Sequence, residues 1–314
     1  MNALATHLVN GVLAVKPLAA FAKHRARTMM INRAESIGVY WRDEVKQLRA
    51  RDSDQPFNPV WDQERSALEN AALAYPDYYL TSFHAYEEGN LGWDPALEVE
   101  VAAKAVHARL WPGGGAQGDA LLRQSYHDVL QATLPQPPTQ VIDLGCGAGM
   151  SSFALQATFP NAQITGVDLS AYFLTVAQYR QQQAAPAPDA QRPITWVHAA
   201  AEATGLPAGS ADLVSVCLVF HELPQSAALA IIHEARRLLR PGGHLALMDM
   251  NPKSEVYAKM PPYILTLLKS TEPYLDQYFS LDIEQALGEA GFAAPLISFN
   301  SPRHRTIVAA LAAG

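Results

Sequence analysis

Two rhythms of hydrophobic and polar positions divide the chain. Up to about residue 110 the apolar residues recur at helical spacing. Within 26–51 they are Met30, Ile31, Ala34, Ile37, Trp41, Val45 and Leu48, and 66–74 and 95–110 look similar. Residues three and four apart share one side of a helix, so these stretches are expected to be amphipathic helices. Between the last two lies 75–86, an aromatic segment with no clear period. The loop Trp111-Pro-Gly-Gly-Gly-Ala-Gln-Gly118 then interrupts any regular element. Three consecutive glycines beside a proline break helices and strands alike.

Beyond that loop, short apolar runs alternate with amphipathic stretches. Strands are expected at 139–144, 163–168, 194–198, 211–220, 244–250, 296–300 and 306–310. Helices are expected at 151–158, 172–183, 226–239 and 281–290, with Arg240-Pro-Gly-Gly243 ending the third. Strand–helix alternation implies a parallel sheet covered on both faces. The last two strands are joined by too few residues for a crossover, so the final strand should run antiparallel. The expected fold class is therefore α/β: a Rossmann-like, doubly wound, mostly parallel sheet with an antiparallel last strand (118–314). A mainly helical N-terminal domain (1–117) precedes it and could act as a lid.

Composition narrows the picture. Of 314 residues 49% are hydrophobic and 17% charged, which suits a globular protein with a sizeable core. The formal net charge is -7 with no long basic run, so a nucleic-acid partner is not expected. Cys146 and Cys217 lie far apart and form no CxxC, giving neither a zinc site nor a disulfide framework. Sparse cysteine usage is compatible with a cytoplasmic protein. The apolar stretch 9–22 is interrupted by Lys16 and Pro17 and is too short to span a bilayer. It reads as an amphipathic helix packed on its own protein, and membrane association is not expected. Nothing in the pattern specifies an oligomer.

The chemistry-bearing motif is Val141-Ile-Asp-Leu-Gly-Cys-Gly-Ala-Gly149. A strand runs into glycines and a helix follows. Glycines allow close backbone approach to a ligand, and the helix start offers unpaired N–H groups. A dinucleotide fingerprint, GxGxxG, would require glycine at Met150. The observed GxGxG, preceded by Asp143, would set a carboxylate against a pyrophosphate. The same carboxylate would attract the ammonium group of S-adenosylmethionine (SAM). A second motif, Ile164-Thr-Gly-Val-Asp-Leu-Ser170, ends the next strand with Asp168, placed to accept ribose hydroxyls.

These motifs, with Ala199-Ala-Ala-Glu202, the run 211–220 and Leu238-Leu-Arg-Pro-Gly-Gly243, make residues 119–314 resemble the class I SAM-dependent methyltransferases of small-molecule type. The resemblance implies that Asp143, Gly145, Cys146, Gly147 and Gly149 lie along the methionine part of the cofactor. It implies that Asp168 binds ribose, Leu169 packs on adenine, and Ala201 and Glu202 meet the adenine edge. The family often carries an Asp where this chain has Ala200, so Glu202 is the available substitute. The implied activity is methyl transfer to O, N or C of a small-molecule substrate by direct displacement. The alternative is a protein that binds SAM without transferring its methyl group.

Catalytic residues are harder to read, because a displacement needs alignment first and a base only if the acceptor loses a proton. Phe220-His221-Glu222 ends the fourth strand, and His221 is a candidate base with Glu222 beside it. Without HExxH or a nearby second histidine, no metal is expected. Tyr126, on the helix before the first strand, is either a pocket wall or ordinary packing. Residues 251–280 and the aromatic stretch 78–86 are candidate covers for an acceptor.

Overall fold

The computed structural model describes residues 9–183 and 193–312. The first three long helices are α1 (Lys16–Ser36), α2 (Trp41–Ala50) and α3 (Val60–Leu68), and α4 (Trp93–His107) and α5 (Gly118–Thr133) follow. The stretch 26–51 is thus two helices. The break falls at Gly38, which adopts a left-handed φ of 79° between them. The helix expected at 66–74 ends instead at Leu68, because the chain turns to meet the sheet: the Asn70 N–H donates to His198 Nδ1 at 2.9 Å.

The sheet strands are β1 (Gln140–Leu144), β2 (Gln163–Asp168), β3 (Thr195–His198), β4 (Ala211–Cys217), β5 (Leu239–Met250), β6 (Leu296–Ser298) and β7 (His304–Ala310). Their spatial order is β3-β2-β1-β4-β5-β7-β6. The first five run parallel, and β7 enters antiparallel between β5 and β6. The antiparallel start of β7 therefore lies at the carboxyl edge of β5, where Met250 pairs with His304. Boundaries differ from expectation at two places. β4 stops at Cys217 rather than at 220, because Leu218 turns the chain with a left-handed φ of 60°, and Phe220–Glu222 form a short helical turn. Arg240-Pro-Gly-Gly243 does not separate helix from strand but lies within β5, as an irregularity between the pairs Ala211–Leu239 and Leu213–His244. Between β1 and β5 run α6 (Met150–Thr158), α7 (Ala171–Gln183) and α8 (Gln225–Leu238). After β5 come α9 (Glu255–Ala258), α10 (Pro262–Thr271), α11 (Leu275–Ser280) and α12 (Ile283–Glu289).

Strand residues alternate between two cores, as the pleat demands. Ile142, Leu144, Val214, Val216, Leu245 and Leu247 face α8 and α12. Val141, Leu213, Ala246 and Met248 face α5 and α6. A third core joins Trp41, Trp61, Leu97 and Val101 of the helical part to Ala148, Phe173 and Val176 of the sheet part. Packing thus runs across the glycine loop at 113–115. Gly118 makes that junction tight: a Cβ there would lie 2.2 Å from the His107 carbonyl oxygen.

The N-terminal apolar stretch packs less than expected. Its tail and α1 rest on their neighbours through small residues, Ala22, Ala26 and Ala34, while Val12, Val15, Leu18 and Phe21 are exposed. Among the described residues no helix is long and apolar enough to cross a membrane.

Candidate active site

One cavity of about 490 Å³ opens at the carboxyl edge of the sheet, a size typical of ligand sites. Its floor is the glycine loop. Gly145 has a φ of 70°, and a Cβ there would come within 2.7 Å of Val219 Cγ2, so only glycine fits. Gly147 turns its N–H onto Asp168 Oδ2 at 2.8 Å, while Ser170 N–H donates to Asp168 Oδ1 at 2.8 Å. The carboxylate is thereby fixed at the end of β2, with lone pairs left over toward the cavity. Burial pushes its pKa up to about 6, against the pull of the two amides.

Of the residues singled out from the sequence, Gly145, Cys146, Gly147, Asp168, Leu169, Ala201, Glu202, His221 and Glu222 all line this cavity. Three others do not. Asp143 lies beneath the loop, where Ser152 Oγ donates to its Oδ2 at 2.6 Å. Burial raises this carboxyl to about 6. Gly149 caps the start of α6, and a Cβ there would meet Trp196 at 2.8 Å, so its role is packing geometry. Tyr126 is fully buried between α5 and the sheet. Its hydroxyl donates to the Ala246 carbonyl at 3.3 Å and lies 3.0 Å from Ser215 Oγ. It belongs to the core, out of reach of a ligand, because the helical period turns this face of α5 onto β4 and β5.

The surroundings of His221 are richer than the sequence indicated. His221 Nδ1 lies 2.7 Å from Asp249 Oδ1, and the His221 backbone N–H donates to Asp249 Oδ2 at 3.2 Å. Asp249 comes from β5, whose side-by-side register with β4 no local motif reveals. Burial works against a charge on His221. Asp249, with Glu272 and Glu222, outweighs it and raises the imidazole to about 10. Glu222 is pushed up, chiefly by burial. His84 reaches in from the 78–90 segment, with Nε2 3.4 Å from Glu272 Oε1 and 3.6 Å from Glu222 Oε1. Burial opposes its charge too, and Glu272 and Glu222 outweigh it. Residue 84 has a φ of 50°, which aims the ring into the cavity. Among the described residues, no group of three His, Cys, Asp or Glu could hold a metal ion.

The cavity suits a ligand bearing hydroxyl and amino donors. Asn90 and Glu202 line it, and their buried Oδ1 and Oε2 atoms have no hydrogen-bond partner among the described residues. Glu202 Oε1 accepts from the Tyr78 hydroxyl at 2.6 Å. These acceptors, with Asp168, match the ribose and adenine of SAM, so the residues present fit that cofactor. In the sequence Tyr78 was visible only as part of an aperiodic aromatic segment, and Asn90 only as a neighbour just beyond it. Arg123, which lines the cavity from α5 and is held by Asp119 at 2.9 Å, carried no sequence signal at all.

Known proteins agree with this geometry. A family model described as a methyltransferase domain matches residues 141–243. An uncharacterised methyltransferase of Synechocystis sp. is 31% identical over 170 residues, covering 54% of this chain and 74% of that protein. A ubiquinone biosynthesis O-methyltransferase of Psychrobacter arcticus is 30% identical over 158 residues, covering 49% of this chain and 58% of that enzyme. The fold is shared with the crystal structure of human N-acetylserotonin methyltransferase in complex with SAM. There the TM-score is 0.50 and the identity 17%, over 71% of this chain and 57% of that one. The fold, the cradle and these relatives define a SAM-binding protein of the Rossmann-like class. More narrowly, the chain belongs to the class I SAM-dependent methyltransferases, and its cofactor is S-adenosylmethionine.

Proposed function

We propose that this chain transfers the methyl group of SAM to an oxygen atom of a small acceptor, with His221 as the base. The observation that carries the reading is the His221–Asp249 pair at 2.7 Å, on the wall of the same cavity as Asp168. SAM, when bound, supplies a sulfonium-activated methyl group. The chain supplies position and proton traffic. Asp168 and Glu202 hold the cofactor's hydroxyl and amino donors. Asp249 accepts a hydrogen bond from His221 Nδ1–H, which leaves Nε2 of the neutral imidazole for the proton of the acceptor hydroxyl. Residues 78–90 and 251–280 exclude water above it. Relatives described as ubiquinone biosynthesis O-methyltransferases support oxygen as the acceptor atom.

The test is to incubate the protein with methyl-labelled SAM and a metabolite extract, across pH 6 to 10. Label is expected in a small hydroxylated molecule, with S-adenosylhomocysteine formed in equal amount. If the protein binds SAM but neither product forms, it is a SAM-binding protein without transferase activity.

A further inference from the structure

Charges of both signs line the cavity. Glu222 and Glu272 line it beside His221, which Asp249 holds. Arg33, from the last turn of α1, and Arg303, from the loop entering β7, line it too, about 270 residues apart in sequence. Among the described residues neither guanidinium forms an ion pair with an acid. Arg303 Nη2 donates only to the Val106 carbonyl, at 3.1 Å. Arg33, half-buried, has no hydrogen-bond partner for its side chain there. Burial, then repulsion from Arg109 and Arg303, lowers its affinity for its proton.

Half-buried cations brought together without counter-charge are costly, and proteins normally pair them. The neighbours do not supply that pairing. Asp119 is engaged by His107 at 2.8 Å and by Arg123 at 2.9 Å. His107 and His304 are both buried, and burial lowers the pKa of each. They add no positive charge of their own. The missing partner is an anion. Apolar side chains, among them Met29, Met30, Val99, Ala102 and Ala103, line the same cavity.

We propose that the methyl acceptor carries an acidic group, a carboxylate or phosphate, that seats on Arg33 and Arg303. The inference rests on the methyltransferase reading of this cavity. Guanidinium forks match such oxyanions with paired N–H donors. Glu222 and Glu272 repel the same group, so the acceptor's acidic end is directed to the arginines and its hydroxyl to His221.

The experiment uses the full chain saturated with S-adenosylhomocysteine and titrates benzoate, phenyl phosphate and the neutral benzamide by calorimetry. At least one anion is expected to bind about ten-fold more tightly than benzamide, as charge-assisted bidentate bonds allow. The better anion tells carboxylate from phosphate. In R33Q/R303Q the preference should fall to within about two-fold, with S-adenosylhomocysteine affinity held within the same margin. R33K/R303K keeps both charges and should retain a preference for anions. Equal binding of anion and amide by the unaltered protein overturns the proposal. So does a preference that survives R33Q/R303Q. A loss of about ten-fold or more in S-adenosylhomocysteine affinity in that variant also overturns it, because the pair would then hold the cofactor's own carboxylate. Failure of the unaltered protein to bind S-adenosylhomocysteine strikes the methyltransferase reading instead.

Discussion

At the scale of single residues, Asp168 and His221 carry the clearest expectations. Asp168→Ala removes the proposed acceptor for the ribose hydroxyls and strands the Gly147 N–H. Leaving such groups unpaired costs roughly 1–3 kcal/mol, so SAM affinity should drop by about ten-fold or more in calorimetry. The unaltered protein should also lose SAM affinity as pH falls through about 6, where this buried carboxylate gains its proton. Asp168→Asn should flatten that dependence. His221→Ala should lower kcat by about a hundred-fold while leaving SAM binding intact, the size of a lost general base. A base held at about 10 by Asp249 works best when alkaline, so kcat/KM should climb with pH well above 7. Asp249→Asn should move that limb down. The same pairing stabilises the fold. A histidine raised above its ordinary 6.5 contributes fully below that pH and loses its contribution as pH rises through about 10. The extra stability of the parent over Asp249→Asn in denaturant melts should therefore shrink across that window. The places of Asp168 and His221 in the cavity were legible because Asp168 ends β2 within a motif and His221 lies in the turn that follows β4. Asp249 was not, since it faces His221 only through sheet register.

At the scale of elements, the sequence located the strands and most helices because their hydrophobic periods differ and because glycines mark the turns. It misjudged places where tertiary contacts overrule local preference. The helix at 66–74 stops short because His198, on β3, takes the Asn70 amide. Arg240-Pro-Gly-Gly243 reads as a stop yet lies in β5, because neighbouring β4 supplies the pairing. Tyr126 was open between a wall of the site and ordinary packing until the rotation of α5 showed it buried against Ser215 and Ala246. Two elements can be tested directly. Gly118→Ala drives a methyl group into the His107 carbonyl and should cost about 1–3 kcal/mol of stability, as overpacking does. His84→Ala removes the contacts of the 78–90 segment with Glu222 and Glu272. Amide hydrogen exchange at 78–90 should become faster while that of β1 and β4 stays unchanged.

At the scale of the whole molecule, helices and sheet share a core. Phe173 and Val176 of α7 pack with Trp61 and Leu97 of the helical part, so both should melt together. Ligand linkage then stabilises them as one unit. At a hundred times its dissociation constant, a cofactor adds about 2.7 kcal/mol to the folded state. SAM should therefore raise a single transition in calorimetry, and a second transition left unshifted would show that the helical part melts separately. The position of β7 bears on how the chain is built. It is the last strand in sequence, yet it sits inside the sheet, between β5 and β6. On the ribosome, β5 must wait with a bare edge until residues 304–310 emerge, and the Arg303 and His304 corner of the cavity forms only then. Such an edge invites mispairing. Translation speed over the codons for residues 304–310, and chaperones that cover exposed strands, should therefore govern the yield of active protein more than they govern its final stability.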